Sequence, residues 1–447
     1  MSRIIRVPEY GIIKIGVEQG GIVFEKRHWT QLFKYHDEHA ADKYYDMRHD
    51  GVQFSSYVGV IQAGDLTIEI LPKVDDVEGA SDSTLQKWRD VLLHMLRESG
   101  MLRVESLSNA LLREKENSLL DIYLALFLQE VEGLLHRGLV KRYRHNEGQQ
   151  MALRGTIQFG KHIARNLVHQ ERFYTRHQTY DHQHLHNQLI RQALLLMPRL
   201  THSPTLRGRT ARALLQWAES PSIKVTTTTF SRLTFDRKTE AYRPALVIAR
   251  LLLLQHRPDI QGGNNDLVAL LFNMNTLWEQ YLLRTLQRLV PDATVVCKPN
   301  AKVLWYAVDG SNKTSKMEPD ILVSMPNGVS IVLDAKWKRP KNGQPAPGDL
   351  RQLFAYSQHY KAAHAFLLYP YSGDGAAVVG KFRRLDHLLA SKQEELVNCS
   401  TMFVRVGSGQ APTDTGVLDE DGYLRCSLGT ILEGLVSIDA KPTLQLG

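Results

Sequence analysis

The sequence predicts an α+β protein of several domains: a β-rich region over residues 1–80, a mainly helical middle over 81–260, and a carboxy-terminal α/β region over 261–447. Three observations carry this prediction. The chain has 447 residues, more than one ordinary core holds at roughly 150 residues per domain. Its apolar pattern changes period, alternating in the first region and recurring at helix spacing in the second. The run Pro258-Asp259-Ile260-Gln261-Gly262-Gly263-Asn264-Asn265 reads as a linker, and beyond it strand and helix patterns mix.

In the first region the clearest element is a hairpin. Tyr57-Val58-Gly59-Val60-Ile61 leads to a turn at Gln62-Ala63-Gly64-Asp65 and back through Leu66-Thr67-Ile68-Glu69-Ile70-Leu71 to Pro72. In the second, Leu85, Trp88, Leu92, Met95 and Leu96 keep helix spacing, as do Leu120, Tyr123, Leu124, Phe127, Leu128 and Val131. Helical patterns return at 185–196, 211–217 and 244–254.

Composition narrows the function classes. Hydrophobic residues at 43% and charged residues at 23% are the balance of a globular protein with a core of its own. Cys297, Cys399 and Cys426 are too few and too scattered for a disulfide framework, so a reducing compartment is expected. The start lacks the apolar run of a secretory signal. The longest apolar stretch, 245–254, is broken by Arg250 and far short of the ~20 residues of a membrane span. A cytoplasmic protein without membrane contact is the expectation. The net charge of +8 fits a polyanionic partner. Between Lys141 and Tyr180, Lys141, Arg142, Arg144, Arg154, Lys161, Arg165, Arg172 and Arg176 stand against Glu147 and Glu171, interleaved with aromatics. That stretch reads either as a phosphate-tracking surface or as a solvated face.

The chemistry lies after the linker. Met317-Glu318-Pro319-Asp320-Ile321-Leu322-Val323 and Val329-Ser330-Ile331-Val332-Leu333-Asp334-Ala335-Lys336-Trp337 are strand candidates. Alternation puts Asp334 and Lys336 on one face and Ile331, Leu333, Ala335 and Trp337 on the other. The loop sets the register. A two-residue Asn327-Gly328 loop would face Asp320 with Ala335, whereas a three-residue Pro326-Asn327-Gly328 loop faces it with Asp334. Pro at the first corner, Asn at the second and Gly at a left-handed bulge position favour the longer loop. The helix predicted over 274–290 carries Trp278, Leu282, Leu283, Leu286, Leu289 and Val290 on one stripe, and Glu279 falls inside it. A carboxylate there needs a cation or a donor. The predicted helix after the hairpin puts Gln352 and Tyr356 on one face, within reach of the site.

These residue types suit Mg²⁺-dependent phosphodiester hydrolysis. Mg²⁺ takes one or two carboxylates plus water and phosphate oxygens, and Mn²⁺ can stand in. Asp320 and Asp334 would hold it, with Glu279 helping directly or through water. Lys336 would orient or deprotonate the attacking water.

Two further patterns carry other possible chemistry. Gly155-Thr156-Ile157-Gln158-Phe159-Gly160-Lys161-His162 matches a phosphate-loop spacing but places His where Ser or Thr binds Mg²⁺, with no buried strand before it. His182, His184 and His186 would share a face on a strand and could bind zinc. Solvated or DNA-facing histidines at a helix start are the competing interpretation.

The order Glu279, Pro319-Asp320, Asp334-Ala335-Lys336, Gln352 resembles the PD-(D/E)xK nuclease superfamily. Together with Tyr57 to Lys73, Leu153-Arg154-Gly155-Thr156-Ile157, the Asp181 to Asn187 segment and Met274-Asn275-Thr276-Leu277-Trp278-Glu279, the chain resembles the McrC family, nuclease subunits of McrBC-type 5-methylcytosine restriction systems. The likeness runs to about Pro370, and the tail from about Leu385 departs from it. It implies a carboxy-terminal PD-(D/E)xK endonuclease domain. It also implies a hexameric McrB-like AAA+ GTPase that reads methylated cytosine in double-stranded DNA and is stimulated by the amino-terminal region. The hairpin from Tyr57 to Leu71 is the expected contact with that partner.

Overall fold

The amino-terminal sheet is built from both sides of the expected break at residue 261. In the computed structural model, which describes residues 3–39, 44–72, 82–100, 118–201, 203–257, 267–307, 313–340, 344–370, 379–382 and 398–404, Tyr57–Ala63 and Leu66–Leu71 form its central hairpin. Arg3–Pro8 lies parallel to Leu66–Leu71, and Leu267–Asn273 lies antiparallel to Tyr57–Ala63 with His256–Arg257 beyond it. Gly59 permits that second pairing. Its φ is +136°, and a Cβ there would stand 2.0 Å from the Leu270 carbonyl oxygen.

This architecture corrects the expected docking surface. Both edges of the Tyr57–Leu71 hairpin are covered by strands and nearly all its residues are buried, so it is sheet interior. The turn is also tighter than expected: Ala63 pairs with Leu66, leaving only Gly64 and Asp65 between. The Lys26–His39 helix interrupts the region read as β, burying His28, Leu32 and Tyr35 at turn spacing against the sheet. The expected linker at 258–265 and the tail beyond 404 lie outside the described residues.

The helices appear where the apolar periodicity places them: Asp82–Glu98, Leu119–Arg137, Leu185–Leu200, Pro204–Gln216 and Arg243–Gln255. Ser118 caps the second, accepting a hydrogen bond from the Asp121 amide. The middle is not helical throughout. The basic stretch folds into the antiparallel strands Arg142–Gln150 and Phe173–Asp181, with Thr156–Ile157 alongside and the short Phe159–Asn166 helix packed on them.

A buried ion cluster ties the first two regions. Glu69 is fully buried on the central hairpin. It meets Arg6 at 3.0 Å and Arg89 at 3.8 Å, and accepts a hydrogen bond from the Leu119 amide at 2.7 Å. One carboxylate thus holds an edge strand, the middle of one helix and the start of another. Removing one member of a buried ion pair costs about 3–5 kcal/mol. Glu69→Ala is expected to lose that much in urea unfolding, and an unchanged midpoint would contradict the clamp.

The histidine cluster is structural among the described residues. His184 contacts the Val140 carbonyl through Nε2 at 2.9 Å, and His186 the Thr234 carbonyl at 3.1 Å. No group of three His, Cys, Asp or Glu side chains among them is arranged to hold a metal ion. Burial, then the neighbouring His184 and Arg142, push His186 down to about 4, against a weaker pull from Asp236. Its neutral form is therefore favoured by folding. That stabilisation is present above the ordinary histidine range and is lost as pH falls toward 4. Tm should drop more between pH 7 and 5 in wild type than in His186→Gln, and equal drops would contradict the assignment.

The carboxy-terminal sheet has the order Thr294–Cys297, Ile321–Ser324, Ser330–Ala335, His364–Pro370, Asn398–Val404, Val379–Lys381. Ser330–Ala335 and His364–Pro370 are parallel, joined by a crossover that carries the Pro347–His359 helix. One face, with Ile331, Leu333 and Leu368, joins the core shared with the helical middle. The other, with Val332, Leu367 and Tyr369, packs on Leu353 and Tyr356 of the crossover helix. No helix among the described residues is long and apolar enough to cross a membrane.

Candidate active site

The hairpin from Ile321 to Ala335 adopts the register that a three-residue loop requires. Ile321 pairs with Leu333 and Ser324 with Ser330. Pro326, Asn327 and Gly328 form the loop, closed by hydrogen bonds from the Gly328 amide to the Met325 carbonyl at 3.0 Å and from the Met325 amide to the Val329 carbonyl at 2.9 Å. Gly328 has φ +87°, the left-handed conformation that a side chain at that position opposes. Extending the register one step faces Asp320 with Asp334.

Asp320 sits at the mouth of its strand and accepts a hydrogen bond from the Ala335 amide at 2.8 Å. Asp334 is 1% exposed. Burial, then the charge of Asp334, raises the Asp320 pKa to about 6. Burial raises Asp334 as well. Two neighbouring buried carboxyls resist carrying two charges at once. Lys336 brings the cation, with Nζ 2.8 Å from Asp334 Oδ2. Burial opposes charge on that ammonium, but Asp334 and Asp320 outweigh it and hold its pKa above the ordinary value.

The crossover helix completes this side. Lys336 donates to Gln352 Oε1 at 3.0 Å, and Gln352 Nε2 donates to the Tyr356 hydroxyl at 2.7 Å. Gln352 thus presents its oxygen to the lysine because its amide nitrogen is held by tyrosine.

Glu279 approaches from the Met274–Leu289 helix, whose first turn is capped by the Asn273 side chain. Its carboxylate is mostly buried and meets Lys298 Nζ at 3.0 Å. Burial, then Asp320, raises its pKa. The Lys298 amide donates to the Asp320 backbone carbonyl at 2.9 Å, so one residue pairs with the Glu279 carboxylate and ties down the main chain at Asp320. The structure therefore brings Asp320, Asp334, Lys336 and Gln352 together, with Glu279 electrostatically joined to them and directly paired with Lys298.

Three neighbours escaped the sequence reading. Lys298 follows a short strand at φ +46°, which no local pattern signals. Asp349 is buried, pairs with Lys338 at 2.7 Å and accepts from the Tyr369 hydroxyl at 3.4 Å. It stands one helical turn before Gln352, so that spacing could have found it. Glu9 accepts a hydrogen bond from Trp337 Nε1 at 2.6 Å, a contact across 328 positions of sequence that only the fold reveals.

The pair Asp320 and Asp334 fits a hard dication, but Glu279 does not join them as a third direct ligand, since no three acidic side chains among the described residues are arranged to hold a metal ion. Asp334 Oδ2 and Glu279 Oε2 are buried oxygens that face a lysine ammonium at 2.8 and 3.0 Å and have no hydrogen-bond partner of good geometry among the described residues. Asp320 and Asp334 are two adjacent carboxylates in need of positive charge, which is the number Mg²⁺ commonly takes beside water.

Comparison with known proteins identifies the family. A family model described as McrBC 5-methylcytosine restriction system component matches residues 52–370. The chain belongs to the McrBC 5-methylcytosine restriction system component family. Its fold is similar to that of a chain in the refined half-complex from a tetradecameric assembly of Thermococcus gammatolerans McrB AAA+ hexamers with bound McrC. The TM-score is 0.68 at 18% identity, covering 96% of this chain and 100% of that one. The cryo-EM structure of the Thermococcus gammatolerans McrBC complex also matches, with TM-score 0.48 and 19% identity over 64% of this chain and 88% of that one. No curated protein matches.

Proposed function

We propose that this chain is the DNA-cutting subunit of a McrBC-like, modification-dependent restriction system, with a Mg²⁺-dependent PD-(D/E)xK endonuclease site. The observation that carries the proposal is the pair Asp320 and Asp334, facing each other across a hairpin with the Lys336 ammonium 2.8 Å from Asp334. Asp320 and Asp334 would hold the metal, and Glu279 would support it through water or through Lys298. When bound, Mg²⁺ supplies Lewis acidity toward the phosphate and an activated water. Lys336, kept protonated by its acidic neighbours, orients water and offsets charge on the phosphate oxygens. Gln352 holds that ammonium from the other side.

The partner is a hexameric AAA+ GTPase of the McrB kind, which reads methylated cytosine in double-stranded DNA and is stimulated by this chain. The contact surface that best supports docking is the basic arm at 142–181, not the buried hairpin at 57–71. Met151, Leu153, Phe159, Ile163, Leu167 and Val168 are all exposed there, an apolar patch of the kind that marks an interface.

The test is a supercoiled-plasmid cleavage assay on methylated DNA, with and without the GTPase and GTP. Cutting is expected in Mg²⁺ or Mn²⁺, binding at most in Ca²⁺, and none in a chelator. Undiminished cutting in the chelator would sink the metal mechanism.

A further inference from the structure

The strands Lys302–Tyr306 and Thr314–Met317 pair with each other and join no larger sheet among the described residues. An isolated two-stranded ribbon is marginal in water by itself. This one also leaves its outer side chains open: Leu304 is 51% exposed, Trp305 56% and Tyr306 67%. Its base is fixed. Lys302 donates to the His359 carbonyl at 2.6 Å and lies over the Tyr360 ring, while the Tyr360 hydroxyl donates to the carbonyls of Asn300 and Met317 at 2.8 and 3.2 Å. One tyrosine thus holds both strands where they leave the body of the protein.

The position of the ribbon ties it to the chemistry. The chain enters it from Lys298, which pairs with Glu279, and leaves it through Glu318 and Pro319 to Asp320. We propose that this ribbon is a clasp for duplex DNA, lying against the double helix beside the phosphate that would be cut at the Asp320 and Asp334 site. The assignment rests on the nuclease reading above. Charge selects the ligand. Lys298, Lys336 and Lys338 each pair with a carboxylate, whereas Lys313 and Lys316 are exposed and meet none among the described residues. An extra residue at Leu304 shifts the strand register and puts Tyr306 on the same face as Lys316. An aromatic beside a free ammonium suits sugar and phosphate, and a two-stranded ribbon fits the major groove of B-form DNA.

The experiment measures binding of a labelled duplex to the full chain by anisotropy, in Ca²⁺, over a range of KCl concentrations. The variants are Lys313→Gln with Lys316→Gln, and Tyr306→Ala. All three side chains are exposed, so the fold is kept. The double lysine variant should bind on the order of tenfold more weakly, with a salt dependence shallower by about two ions, at about 0.9 per phosphate contact. Tyr306→Ala should weaken binding with the salt slope unchanged. Wild-type affinity and slope in both variants would overturn the clasp alone, provided wild type binds and cuts DNA. Loss of self-association or of GTPase binding, with DNA binding intact, would assign the ribbon to a protein contact and also overturn it. No duplex binding by wild type would bring down the nuclease reading and the clasp together.

Discussion

Asp334→Ala is expected to lower plasmid cleavage by at least about a thousandfold. The substitution removes a carboxylate that is 1% exposed and stands beside Asp320 and Lys336. Without it the site keeps one of its two paired carboxyl groups, and Lys336 loses its closest counter-charge. Folding should survive, because Asp320 is raised to about 6 partly by Asp334 and the substitution relieves that repulsion. Duplex binding should persist as well, since one negative charge fewer faces phosphate. On the proposed division of labour, stimulation of the GTPase lies outside the hairpin that carries Asp334 and should stay near wild type. Plasmid cleavage and GTP turnover measured on one preparation separate the two roles. Joint loss of both, with native circular dichroism, would contradict the division of labour.

Lys336→Ala is the second large effect. The ammonium touches Asp334 at 2.8 Å and Gln352 Oε1 at 3.0 Å, so its removal leaves a buried carboxylate and an amide oxygen without their cation. Loss of a positioned proton-transfer or charge-stabilising group costs roughly 10²–10⁴ in rate. Single-turnover cleavage at saturating duplex should fall by that factor, while duplex affinity changes little, because the lysine is already paired with acid in the free protein. A large loss of affinity at an unchanged single-turnover rate would make Lys336 a binding residue instead.

The hairpin that carries Asp334 was legible because its determinants are local. Pro326, Asn327 and Gly328 set the loop, the loop sets the register, and alternation sends Asp334 and Lys336 to one side. The long helices were legible for the same reason, since their apolar stripes recur within a few turns. What the sequence hid is non-local. Leu267–Asn273 returns to cover the edge of Tyr57–Ala63, so a hairpin that looked free is interior. Lys298 and Glu9 meet the site only through the fold. The Lys26–His39 helix was hidden differently. Its inner stripe includes His28, which reads as polar, yet the side chain is fully buried with Nε2 3.1 Å from Asp65.

The most direct measurement of the central claim is a crystal soaked in Mn²⁺ and examined by anomalous scattering. A peak between the carboxyl groups of Asp320 and Asp334, absent in Asp334→Ala, is the expected result. Plasmid cleavage supported by Mn²⁺ with no peak there, or with the ion bound at other residues, would contradict the placement of the active site.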